Sequence, residues 1–138
     1  MNTNRQIVDD WARNFEWSEF ALGYLECALW SSTNDDGEPL DSYLGLEDFD
    51  PTALQTLLID VEDWLLAQKI PPEYSYHKFG HDLYGYSQFG HDFWLSRNGH
   101  GAGFFDRGSE AHWKKLQEAA RIYREVNLYI GDDGKIYA

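Results

Sequence analysis

Asp92-Phe-Trp-Leu-Ser-Arg97, Asn98-Gly99, His100-Gly-Ala-Gly-Phe-Phe105 is the stretch on whose reading the fold turns. Asn-Gly is the preferred two-residue hairpin turn, because both of its central residues need positive φ. Read that way, the stretch is a β-hairpin that sets Arg97 opposite His100, Trp94 opposite Gly103 and Phe93 opposite Phe104. A glycine within a strand marks the close approach of another group, here the Trp94 ring.

Toward the N-terminus the apolar period is helical. Ile7, Val8, Trp11, Ala12 and Phe15 predict a first helix, and Trp17, Phe20, Ala21, Tyr24, Leu25, Ala28 and Leu29 a second, ending near Trp30. Ser31–Pro39 is a loop rich in Asp, Asn and Gly, and 40–49 is a mixed segment of no single type. Asp50-Pro51 opens a further helix: Asp caps free N–H groups and Pro is tolerated at the first helical position. Leu54, Leu57, Leu58, Val61, Trp64 and Leu65 form its apolar stripe, and Pro71-Pro72 bounds it. Residues 73–90 read as irregular structure or short strands. Beyond the central hairpin, Ser109 is the expected cap of a last helix with Trp113, Leu116, Ala120 and Tyr123 on its apolar face. Lys114, Lys115, Arg121 and Arg124 lie on its outer face. Val126–Ile130, Gly131-Asp132-Asp133-Gly134 and Lys135–Tyr137 form a second hairpin. The expected architecture is α+β, with about four helices packed on a small antiparallel sheet made from two β-hairpins. It forms one domain, 1–138, with an acidic, mainly helical half (1–68) and a hairpin-helix-hairpin half (69–138).

Composition narrows the function classes. The chain has 138 residues, a net charge of −13, 43% hydrophobic and 17% aromatic residues, which suffices for one packed core. No apolar run approaches the ~18 residues of a membrane span, and the opening residues lack a signal-peptide layout. A cytoplasmic protein is therefore expected. Cys27, the single cysteine, excludes an internal disulfide and sits at a helical core position.

The charge is also unevenly placed. Between Asn14 and Gln68 stand thirteen Asp or Glu and no Lys or Arg, whereas 69–138 holds nine of each. Such a surface is unsuited to nucleic acid or anionic membrane and suited to a basic protein. Asp35, Asp36, Glu38, Asp41, Glu47, Asp48, Asp60, Glu62 and Asp63 are the candidate partner-binding residues. The alternative is a solvated face that only aids solubility. The basic outer face of the last helix could meet this acidic half within the chain or in a second copy, which leaves room for a homo-oligomer.

A second constellation points to catalysis. Phe79-Gly80-His81-Asp82 recurs as Phe89-Gly90-His91-Asp92, and His100 follows. His81, Asp82, His91, Asp92, Arg97 and His100 supply the residue types of a metal-dependent hydrolase or nuclease, with His81, His91 and Asp92 as metal ligands. Their spacing matches no established ligand pattern, and glycine turns with hydrogen-bonded histidines account for the same residues. No cofactor is expected. Arg97–Gly101 could also cradle an anion, although the hairpin turn already explains Gly99.

Three blocks, Ala28-Leu-Trp-Ser-Ser-Thr-Asn-Asp-Asp-Gly-Glu-Pro-Leu-Asp41, Gly90-His-Asp-Phe-Trp-Leu-Ser-Arg-Asn-Gly-His-Gly-Ala-Gly-Phe-Phe-Asp-Arg107 and Leu128-Tyr-Ile-Gly-Asp-Asp-Gly-Lys-Ile-Tyr137, resemble the signature blocks of a family of small phage- and prophage-encoded proteins. Phe105 stands where that pattern has Trp, and Ser96 where it has Thr. The resemblance carries no catalytic residues. It implies action inside an infected bacterial cell, in an accessory role such as disarming a host defence or redirecting a host protein. Separately, the acidic half suits docking on a basic surface of a host or phage protein, and where that surface normally holds nucleic acid, as in a host nucleic-acid-binding or defence protein, this chain would be a DNA mimic.

Overall fold

The computed structural model describes residues 3–68, 77–79, 82–99, 102–107 and 111–138. Five helices dominate it: α1 (Asn4–Trp11), α2 (Phe15–Ser31), α3 (Pro51–Gln68), α4 (Tyr86–Arg97) and α5 (Ala111–Arg121). Strands β1 (His77–Phe79) and β2 (Asp82–Tyr84) pair with each other, as do β3 (Tyr129–Ile130) and β4 (Ile136–Tyr137). Among the described residues these two antiparallel ladders are separate two-stranded sheets, and nothing there joins them into one sheet. The α+β expectation is thereby corrected to a helix-dominated fold. Among the described residues, no helix is long and apolar enough to cross a membrane.

The correction originates at Asp92–Phe105. Residues 86–97 are helical, and Asn98-Gly99 ends the helix instead of turning a hairpin. Asn98 keeps right-handed backbone angles (φ −94°, ψ 0°), and its side chain accepts from Val126 N at 2.8 Å and donates to Trp94 O at 2.9 Å. Gly99 has φ +65°, the left-handed conformation that follows a helix C-terminus. Asn-Gly serves a type I′ turn and a helix C-cap equally, and side-chain period separates them. Phe89, Phe93 and Arg97 recur every four residues, as do Gly90 and Trp94, and all five are buried. The proposed pairings Arg97–His100, Trp94–Gly103 and Phe93–Phe104 do not form; His100 lies outside the described residues. Gly103 does mark a close approach, made by Ser96 and not by Trp94.

Other elements follow the local chemistry. Thr3 and Asn14 cap α1 and α2 through side-chain oxygens that accept from Gln6 N and Trp17 N. Asp50 accepts from Ala53 N at 3.0 Å, with Pro51 as first residue of α3, and the six stripe residues of α3 are all buried. The uninterpreted 40–49 segment holds two single 3-10 turns, Leu40–Ser42 and Leu46–Asp48. The Gly131–Gly134 hairpin forms as its sequence predicts, with Tyr129 opposite Tyr137 and Ile130 opposite Ile136. The expected cap Ser109 lies outside the described residues.

α2 packs along α4 with almost no space between the backbones. A Cβ on Gly90 would overlap the Phe20 carbonyl oxygen and come within 2.6 Å of Tyr24 N; one on Gly23 would overlap the Ser87 carbonyl oxygen. This approach seats an aromatic core. Trp64 of α3 stacks on Phe93 (4.7 Å between ring centroids) and on Phe104 (5.5 Å), and Tyr24 meets Trp94 edge-on at 5.3 Å. Residues from both halves of the chain join this one core.

Alanine at Gly90 gains about 1 kcal/mol of helix propensity, but the clash is with main-chain atoms that cannot rotate aside. Gly90→Ala is therefore expected to lower unfolding stability by about 3 kcal/mol net, the upper range of overpacking, or to prevent folding. Gly45→Ala, which meets nothing within 4 Å, should stay within about 0.5 kcal/mol. Denaturant titration checks both, and equal losses would refute the helix contact.

Candidate functional site

Of the residues proposed for catalysis, Arg97, Asp92 and His91 lie among the described residues. Arg97 projects from the last turn of α4 into the interior, its side chain 3% exposed. Nη1 donates to Tyr24 Oη at 3.0 Å and to Asp60 Oδ2 at 2.9 Å. Nη2 donates to Tyr123 O at 2.8 Å, and Nε to Arg124 O at 2.9 Å. A guanidinium offers five N–H donors in a rigid fork, and here the fork ties α2, α3 and the end of α5 to α4. Arg124 adopts φ +65°, a backbone conformation costly for a side-chain-bearing residue, at the point where its carbonyl meets Arg97.

Asp92 is fully buried, and both of its oxygens accept from Arg107, at 2.8 Å each. Ser96 accepts from Phe104 N at 3.1 Å and donates to Gln117 at 2.6 Å, fastening the turn after α4 to α5. These interactions are cross-links between elements. His91 sits half-buried beside Asp92 in sequence, its Nε2 4.0 Å from Glu26 Oε1. His81, His100 and the side chain of Asp82 lie outside the described residues. Among the described residues no group of three or more His, Cys, Asp or Glu could hold a metal ion. The structure does not bring the six proposed catalytic residues together within what it describes.

Burial pushes the Tyr24 hydroxyl up to about 12, opposed by the nearby Arg97 charge. Burial likewise raises the Cys27 thiol to about 12, so this cysteine is an inert core residue. An unfolded tyrosine ionises near pH 10. Between pH 10 and 12 the unfolded chain has lost a proton that folded Tyr24 keeps, so stability is intact below pH 10 and declines above it. Over that window the loss should total about 2–3 kcal/mol at most. Tyr24→Phe should flatten the decline, read from thermal melts across the range, and an unchanged slope would refute the assignment. Arg97→Met should cost about 3–5 kcal/mol at neutral pH, because buried partners lose their donor.

The nine partner-binding carboxylates separate into two groups. Five are engaged. Asp60 pairs with Arg97 and Glu62 with Arg13. Asp63 accepts from Tyr123 Oη. Glu47 accepts from Asn4 N and Arg5 N at the start of α1, and Asp48 accepts from Gly45 N. The other four, Asp35, Asp36, Glu38 and Asp41, are exposed and have no cationic partner among the described residues. Asp35, Asp36 and Glu38 stand on a tight turn, and Asp41 in the 3-10 turn after it. Asn34 N donates to Glu38 O, and Leu40 N to Ser32 O, both at 2.9 Å, while Asn34 Oδ1 accepts from Asp36 N and Glu38 N. Gly37, at φ +83°, permits the reversal. Lys114, Lys115 and Arg121 are exposed on α5, and Arg124 is exposed just beyond it. Among the described residues none of them forms an ion pair with the acidic half.

Beside this turn lies an open groove of which the chain order carries no sign. It is about 350 Å³, with Asp35, Asp36 and Tyr43 on one side and Leu128, Tyr129 and Ile130 on the other. Two further hollows adjoin its lining residues: one of about 230 Å³ shares Thr33 and Leu128 and is lined also by Ser31, Trp94 and Asn127, and a shallow one shares Tyr129 and is lined also by Asp132, Asp133 and Tyr137. Tyr43 and Tyr129 are 53% and 57% exposed, far more than the core aromatics. Tyr137 donates to Asp133 at 2.7 Å, which holds that carboxyl below its usual range.

Comparison with protein-family models, with curated proteins and with solved structures finds no match.

Proposed function

We propose that this chain is a binding protein whose acidic turn docks on a basic surface of another protein. The observation that carries the reading is the contrast among its carboxylates. Five of the nine candidates are spent on holding helices together or capping them, whereas Asp35, Asp36 and Glu38 are unpaired on one hydrogen-bonded turn and Asp41 is unpaired in the 3-10 turn that follows it. Four like charges so close in the chain repel each other, a cost that an opposite charge arriving from outside would offset. The net charge of −13 would steer such a partner over a distance of about one Debye length.

The sequence blocks quoted above suggest where that partner is met: in an infected bacterial cell, as a host or phage protein whose basic surface normally holds nucleic acid. On that reading the acidic turn stands in for phosphate and inhibits by occupation, as a DNA mimic. No catalytic step is required.

A triple variant, Asp35→Lys, Asp36→Lys and Glu38→Lys, should keep the fold, since none of the three side chains bonds another element. It should lose at least about 90% of the partner recovered by the wild type in a pull-down from bacterial lysate, a loss of order 1.4 kcal/mol or more. Recovery by the wild type should also fall as salt is raised. Equal recovery by the triple variant, with an unchanged thermal melt, removes the proposal.

A further inference from the structure

The groove beside the acidic turn has one wall made of consecutive strand residues, and the register of that strand decides which of its backbone groups face outward. Gly131 N donates to Lys135 O at 2.8 Å, and Ile130 lies opposite Ile136. Bonded and non-bonded pairs alternate in an antiparallel ladder, so Tyr129–Tyr137 is a bonded pair and Ile130–Ile136 is not. The N–H and C=O of Ile136 and Ile130 therefore point away from each other. On the β4 side that outward carbonyl is used: Ile136 O accepts from Asp50 N at 2.9 Å. On the β3 side the equivalent groups of Ile130, and of Leu128 two residues earlier, have no hydrogen-bond partner among the described residues.

Two further observations converge there. Tyr129 and Ile130, whose side chains point to opposite faces of β3, both border the groove together with the preceding Leu128, so the groove abuts the edge of the strand and not one face. The opposite wall carries Asp35 and Asp36, and Asp132 lines the separate hollow on the other side of Tyr129. An occupant must supply backbone donors and acceptors at strand spacing and positive side chains on both sides.

Resting on the acidic-surface reading above, we infer that the groove receives an extended lysine- or arginine-bearing segment of the partner protein, which adds to the outer edge of β3. Main-chain hydrogen bonds to Ile130 and Leu128 hold the segment, the mode of strand addition. Asp35, Asp36 and Asp132 receive its cationic side chains, and the exposed rings of Tyr43 and Tyr129 cover their aliphatic stems and offer cation–π contacts. Acidic or helical occupants fit neither the charge nor the edge.

The probe is a capped hexapeptide of alternating lysine and valine, titrated into isotope-labelled full-length protein. Amide shifts should concentrate at residues 33–36 and 128–130, with slowed hydrogen exchange at the Ile130 N–H. The same peptide N-methylated on alternate residues, and a glutamate–valine counterpart, should bind at least about fivefold more weakly. Ile130→Pro removes the outward N–H at a position where a strand tolerates proline, although it also replaces the side chain, and should weaken the lysine peptide about fivefold, against a smaller loss for Ile130→Ala, which keeps the N–H. The N-methylated arm tests the edge even if that variant is unstable. Absence of lysine-peptide binding overturns the inference. So does binding that N-methylation leaves unchanged, or shifts that centre on other acidic segments such as residues 9–19. The acidic-surface reading is judged separately, by the charge-reversal pull-down, and the two can fail independently.

Discussion

The contact between α2 and α4 sets the rest of the molecule. Gly23 and Gly90 let the two backbones meet, since a side chain at either position would overlap main-chain oxygen of the facing helix. With the helices that close, Phe20 and Tyr24 lie against Phe93 and Trp94, and Trp64 from α3 closes the stack from above. Packing at such density responds to single methyl groups, because dispersion contacts vanish over fractions of an ångström. The same proximity brings Tyr24 within reach of Arg97, and Arg97 in turn anchors the end of α5 through two carbonyls. One close approach thus carries an aromatic core and a buried polar hub.

This arrangement explains which charges the molecule leaves free. Buried or half-buried carboxylates need donors, and they have them: Asp92 has Arg107, Asp60 has Arg97. The N-terminal backbone groups of α1 are satisfied by Glu47. Of the nine carboxylates considered for partner binding, the four left unpaired lie at residues 35–41, next to the groove between that segment and the C-terminal hairpin. The contacts of Asp92, Ser96 and Arg97 are cross-links between elements.

Parts of this were legible in the chain order. Asp50-Pro51 and the six-residue stripe of α3 act locally, through capping and a single apolar face, so their reading needs no knowledge of the partner helices. The C-terminal hairpin is equally local, as is the core position of Cys27. The acidic stretch was visible as a count, but not its division into five engaged carboxylates and four free ones. That division depends on which bases and backbone donors fold against it. The groove left no mark because its walls come from residues about ninety apart.

Sequence by itself determined α3 with its Asp50 cap, the closing hairpin and the acidity of residues 14–68, since each follows from chemistry within a few neighbouring residues. Tertiary structure alone decided Asp92–Phe105. Asn98-Gly99 is compatible with a hairpin and with a helix end, and the choice fell to packing: as a helix, Phe89, Phe93 and Trp94 enter the core together, Gly90 meets α2, and Arg97 reaches Asp60. A strand turns alternate side chains to opposite faces and could not have buried all of them on one side.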